Sequence, residues 1–130
     1  MLPIDLKNNF IVSETFAPVS RTASGNGTAI DLKDYVGQVL AVVDCGAKTA
    51  GTNPTADFTL EDSANNSSWA ANTTALSAVF TQTTTVAALQ TRNLDTRACR
   101  RYARLVFTIG GTVSPAFPCG AFFVGQKNVQ

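Results

Sequence analysis

The sequence predicts an all-β fold: a compact antiparallel β-sandwich or jelly-roll-like barrel of about eight short strands. Three observations predict it. Short runs of β-branched, aromatic and aliphatic residues alternate with polar ones at period two, which places successive side chains on opposite faces of a strand. Gly, Pro and Asn punctuate these runs at a spacing of ~8–14 residues, as in sandwiches and barrels. No helical pattern alternates with the strands as a parallel sheet would require.

The 130 residues suit one domain, read as an arm over residues 1–9 and a single β-sandwich over 10–130. Phe10 to Phe16 forms the first strand, and Pro18 is expected to stop it. Ser20 to Gly27 is loop, with Asn26-Gly27 a strong turn dipeptide. Thr28 to Leu32 alternates as a short strand. Gln38 to Cys45 is a central strand with Val39, Ala41, Val43 and Cys45 on one face and Leu40 and Val42 on the other. Gly46 to Pro54 is loop. In Thr55 to Asp62, Ala56, Phe58 and Leu60 point inward, while Asp57, Thr59 and Glu61 point out. Ser63 to Ser68 is loop again.

Residues 70–82 fit two patterns. Leu76, Val79 and Phe80 suit a helix with Asn72 as its cap, whereas Leu76, Ala78 and Phe80 suit a strand. The many threonines after Phe80 favour a strand near 76–82, followed by another over 83–91. Residues 93–101 connect, with one helical turn. The last pair is the clearest. Ala103, Leu105, Phe107 and Ile109 share one face opposite Arg100, Tyr102, Arg104 and Thr108. Gly110-Gly111 and Ser114-Pro115 then read as a hairpin loop. Residues 117–124 are apolar on both faces: Phe117, Cys119, Ala121 and Phe123 on one, Phe122 and Val124 on the other. Such a strand is either central or pressed against another chain.

Charged residues are only 15% of the chain, and the net charge is +1. Residues 1–91 hold four Lys/Arg against eight Asp/Glu; residues 92–130 hold six against one. Arg92, Arg97, Arg100, Arg101 and Arg104 supply most of that excess. Intramolecular pairing, with carboxylates such as Asp95, is the leading reading of the cluster. A protein interface comes second, since arginine is favoured there. Nucleic acid comes last, because the acidic first two-thirds opposes a polyanion.

No histidine is present, which removes the usual base of Ser-His-Asp and Cys-His nucleophiles and most zinc sites. Cys45, Cys99 and Cys119 lack Cys-x-x-Cys spacing and read as free thiols in a reducing cytoplasm, with a three-Cys metal site as the lesser alternative. Asp57, Glu61 and Asp62 form the densest carboxylate group, which a calcium site or glycosidase pair could use. An ordinary solvated face is the plainer reading. The N-terminus lacks a basic region followed by an apolar run, so no signal peptide is expected. No apolar run approaches the ~20 residues of a membrane helix.

One stretch carries a resemblance. Asp95-Thr96-Arg97-Ala98-Cys99-Arg100-Arg101-Tyr102-Ala103-Arg104-Leu105-Val106, then Thr108-Ile109-Gly110-Gly111-Thr112, Ser114-Pro115 and Phe123-Val124-Gly125-Gln126-Lys127, resemble small structural proteins encoded beside capsid genes in tailed bacteriophages. The resemblance covers about the last third of the chain, and Asp-Thr-Arg-x-Cys-Arg-Arg-Tyr is its most specific part. It implies a capsid decoration, or cement, protein: a compact β fold, usually trimeric, bound outside the head where capsomers meet. Its partner would be the phage major capsid protein. It would be made in the host cytoplasm and reside on the virion, with no catalytic residue, cofactor, metal, small-molecule substrate or membrane involved.

Interface candidates are Arg97, Arg100, Arg101, Tyr102 and Arg104 from the cluster, Phe122 and Val124 from the two-sided strand, and Leu2 and Ile4 from the arm. The alternative is a carbohydrate-binding β-sandwich module on the virion surface, stacking sugars on Trp69, Tyr35 or Tyr102.

Overall fold

The computed structural model describes residues 5–128. The fold is all-β: antiparallel strands form one curled sheet whose two halves close on a common core. Asp5 caps a four-residue helix, α1 (Leu6–Asn9), by accepting from the Asn8 backbone N–H at 3.2 Å. All four helical residues are exposed. Of the nine residues read as an arm, 1–4, with Leu2 and Ile4, lie outside the described residues.

The strands are β1 (Phe10–Arg21), β2 (Gly25–Asn26), β3 (Ile30–Asp31), β4 (Tyr35–Cys45), β5 (Ala50–Ser63), β6 (Ala70–Ala71), β7 (Ala88–Leu94) and β8 (Tyr102–Lys127). Short 3-10 turns over Leu32–Asp34 and Thr96–Ala98 precede β4 and β8. Asp31 and Asp95 cap them, each accepting from the backbone N–H two residues on.

β8 corrects the predicted hairpin. Its two apolar runs do not pair with each other; they form one 26-residue strand shared by both halves of the sheet. Residues 102–116 lie between β5 on one side and the short β2 and β3 on the other. Residues 117–127 lie between β1 and β4. The Gly-Gly and Ser-Pro signals mark a corner instead of a reversal. Thr112 pairs with Thr52 and Ala116 with Ala50, so β8 carries two more residues than β5 across the bend. Gly111 takes φ +110°, and Val113 and Ser114 take φ +61° and +53°. A β-branched residue in the left-handed region is costly. Gly111 suits its place because a Cβ there would stand 2.7 Å from the Pro54 Cα.

Other boundaries differ for physical reasons. β1 runs through Pro18 because it is an edge strand and Pro18 falls in a bulge between Phe16 and Val19, where no ladder partner is required. Two bulges interrupt it. At one, Thr15 turns inward: its hydroxyl donates to the Thr28 carbonyl at 3.0 Å and accepts from the Leu105 N–H at 3.4 Å. β5 starts at Ala50, inside the predicted 46–54 loop, and the predicted strand over 28–32 shrinks to Ile30–Asp31.

The predicted strand at 76–82 is absent, and the one over 83–91 is shifted to β7. Residues 72–87 cross the sheet edge as a loop held by side chains. Asn72 accepts from the Thr74 and Ala75 N–H groups, and Gln90 takes both the N–H and the carbonyl of Thr81. With the isolated backbone bridges of Thr83 to Ala56 and Leu76 to Leu94, these bonds stand in for a continuous ladder.

The core lies between the two halves. Val39, Ala41, Val43 and Cys45 from β4 meet Ala56, Phe58 and Leu60 from β5 and, on β8, the odd-numbered residues 103–107 and 117–123. Phe16, Phe58 and Phe107 form a ring cluster with centroids 5.1–6.4 Å apart. Cys45 and Cys119 are opposed in the β4–β8 register, fully buried, and joined as a disulfide, which corrects the free-thiol reading for this pair. Cys99 remains free.

Thr15 fixes one more constraint. A Cβ on Gly27 would stand 2.8 Å from both the Leu105 and Thr15 carbonyl oxygens, which are backbone and cannot swing aside. Gly27→Ala is expected to destabilise by about 2 kcal/mol or more, read as a lower denaturation midpoint; an unchanged midpoint would contradict the packing. Val113→Asn, which suits the left-handed region better, is expected to raise the midpoint, by about 1 kcal/mol at most.

Candidate protein-binding face

Four of the five clustered arginines sit at the start of β8 and in the turn before it, and each of these has a carboxylate; Arg92, on β7, instead donates to the Val79 and Thr91 carbonyls and to the Gln90 side chain. Arg97 pairs with Asp95 at 3.1 Å, Arg100 with Asp62 at 2.8 Å, Arg101 with Asp31 at 2.9 Å and Arg104 with Glu61 at 2.7 Å. The strand register explains two of these: Glu61 is opposite Arg104, and Asp31 is opposite Tyr102, beside Arg101. Three arginines of the basic last third thus meet three acids of the first two-thirds, Asp31, Glu61 and Asp62, around the start of β8. Pairing within the chain, as with Asp95, is what the leading reading of this cluster anticipated.

Asp62 is the most enclosed of these acids, 5% exposed. Burial works against its charge. The Arg100 guanidinium and N–H and the Asn72 amide outweigh that and hold its carboxyl below the ordinary 3.8. Asp31 is likewise lowered, chiefly by the Arg101 hydrogen bonds. Asp57, the third member of the predicted carboxylate group, accepts from Gln82, so Asp57, Glu61 and Asp62 have three separate partners. Among the described residues, no three His, Cys, Asp or Glu are placed to hold a metal.

The aromatic candidates are also occupied. Arg104 lies over the Trp69 ring at 4.2 Å and Arg101 over Tyr102 at 5.0 Å. Tyr35 is buried, and its hydroxyl donates to Ser13 at 2.6 Å.

What remains open is the outer face of the half-sheet ordered β1-β8-β4-β7. The register lays Val12, Val124, Leu40 and Asn93 in one row and Glu14, Phe122, Val42 and Thr91 in the next. Val12 is 65% exposed and Leu40 37%; Phe122 and Val124 are half-buried. Leu6 and Phe10 extend this apolar surface at one end, where they line a groove with Lys7, Val12 and Val124. Phe122 and Val124 are therefore the sequence candidates that lie on an open face. Phe10, Val12 and Leu40 were missed, although Leu40 and Val42 had been read as the second apolar face of their strand, which was the available signal.

The geometry defines an all-β protein whose arginines around the start of β8 are paired within the chain and whose one half-sheet presents uncovered apolar side chains. In comparisons with known proteins, the chain matches no family model and no curated sequence.

Two expectations follow from the electrostatics. Asp31 and Asp62 ionise more readily folded than unfolded. Their contribution is complete above the unfolded value near 3.8 and is lost as pH falls through the lower folded value. Denaturation midpoints should hold steady from neutral pH down to about 5, then fall, and Asp31→Asn with Asp62→Asn should flatten that fall. An acid slope that is the same in both proteins would refute the assignment. Burial first, then the Asp62 and Asp95 carboxylates, push the Cys99 thiol up to about 12. Its alkylation by iodoacetamide at pH 8 should be at least about a hundredfold slower in the folded than in the unfolded protein; equal rates would show an accessible, ordinary thiol.

Proposed function

We propose that this chain is a capsid decoration protein of a tailed bacteriophage, a trimer that binds the outer surface of the head and stabilises the shell by bridging capsomers. The observation that carries the reading is the uncovered apolar face formed by Phe10, Val12, Leu40, Phe122 and Val124 on a rigid scaffold. An apolar patch of this kind on a chain of low net charge suits contact with other proteins. The resemblance in the last third of the chain supplies the shell as partner.

The mechanism is linkage. A copy that binds only the assembled, expanded shell stabilises that state by an amount set by its concentration over its dissociation constant. Many copies on a symmetric lattice reinforce one another through avidity. No bond is made or broken, so the protein is not an enzyme on this reading. The carbohydrate-binding alternative has less support, because Arg104 and Arg101 cover the Trp69 and Tyr102 rings and Tyr35 is buried.

Co-sedimentation with expanded heads tests the reading. The wild type should pellet with heads. Val12→Lys combined with Leu40→Lys, at two exposed positions, should bind about tenfold or more weakly. Wild type that stays in the supernatant, or a variant that pellets equally, would overturn it. Native mass spectrometry should give three times the 13.7 kDa chain mass; a monomer at all concentrations would remove the trimer.

A further inference from the structure

Pro18 packs against Gly120, where a Cβ would stand 3.1 Å from the Pro18 Cα, and a cavity of about 490 Å³ is lined by both residues. Pro118 and Phe122 close it along β8. Glu14 and Pro18 come from β1, and Asp44 and Gly46 come from β4 and its end. The register fixes this arrangement: Glu14 is opposite Phe122, and Asp44 is opposite Gly120.

The two carboxylates differ from most others in the chain. Asp31, Glu61, Asp62 and Asp95 each hold an arginine. Glu14 and Asp44 are exposed, and neither makes a hydrogen bond or ion pair with a described residue. Arg21 is the cation that feels the Glu14 charge. It stacks on Phe16 at 4.5 Å and donates to the Ala17 and Cys119 carbonyls, so Glu14 reaches it only through space. The cavity therefore combines an apolar floor, an aromatic ring and a negative rim whose two carboxylates are in no ion pair with a described residue. That set is complementary to a long aliphatic side chain with a cationic head.

We propose that this cavity receives a lysine or arginine side chain of the protein docked on the open face. The inference rests on the docking reading above and names one contact within it. The aliphatic stem lies against Pro18, Pro118 and Phe122, and the head lies between Glu14 and Asp44.

Amide NMR with N-acetylarginine methylamide as the probe tests the cavity alone, with N-acetylleucine methylamide as the neutral control. The arginine probe should give saturable shifts at Gly120 and Phe122 in the millimolar range, roughly that of a single-side-chain ligand. The shifts should disappear in Glu14→Gln with Asp44→Asn, which keeps shape at two exposed positions. No saturable shift, equal shifts in the double variant, or equal shifts with the leucine probe would each overturn the proposal.

Head binding separates this inference from the reading it rests on. The double variant should bind expanded heads about tenfold more weakly than wild type, and more so at low salt. If wild type and double variant bind heads equally, the cavity contact falls and the docking face stands. If wild type ignores heads yet titrates the arginine probe, the docking reading falls and the cavity stands.

Discussion

The ladder hydrogen bonds of β8 to both halves of the sheet are the constraint on which everything else depends. Through residues 102–116 the strand is paired with β5, and through 117–127 it is wedged between β1 and β4. Phe107, Phe117 and Phe123, all on this strand, are fully buried. Fully burying one such ring contributes about 1.5–3 kcal/mol, so β8 carries both the hydrogen-bond framework and much of the apolar stabilisation. Because the same strand has its inner face in the core and its even-numbered residues outside, the position of Phe122 and Val124 on the open face follows from the register that buries Ala121 and Phe123.

Electrostatics is the second layer, and it removes an apparent function. The sequence separates acidic and basic residues along its length, which suggests a cationic patch. The fold brings them together again, Asp31, Glu61 and Asp62 against Arg101, Arg104 and Arg100. The exposed pairs contribute little each, about 0–1 kcal/mol. Their larger effect is to neutralise the arginines around the start of β8, the densest group of cations in the chain. The surface left without partners is apolar with Glu14 and Asp44 at one end, which suits a protein neighbour better than nucleic acid.

Much of this was legible in the residues, and the failures have identifiable causes. The inward faces of β4 and β5 follow from strict alternation, which one-sided burial enforces. The hairpin in β8 was misread because Gly-Gly and Ser-Pro permit a bend as readily as a reversal; only the presence of β5 alongside decides between them. Residues 72–87 could not be read from periodicity, because the side chains of Asn72 and Gln90 satisfy their backbone from a distance in sequence. The Cys45–Cys119 pairing depends on the β4–β8 register across 74 residues of separation. In the candidate site, Phe122 and Val124 were visible as the second face of a two-sided strand. The arginines drew attention by composition, with Asp95 the one partner named from the sequence; Asp31, Glu61 and Asp62 emerged only with the fold.

Native-state hydrogen exchange along β8 is the most direct measure of whether one shared strand holds both half-sheets as a rigid platform. Amides around residues 103–107 and 119–123 should open together, with the same free energy as global unfolding, and only the corner near residues 110–115 should exchange faster. If the two ends of β8 opened independently, with different free energies, there would be two loosely joined sheets and no rigid face to dock.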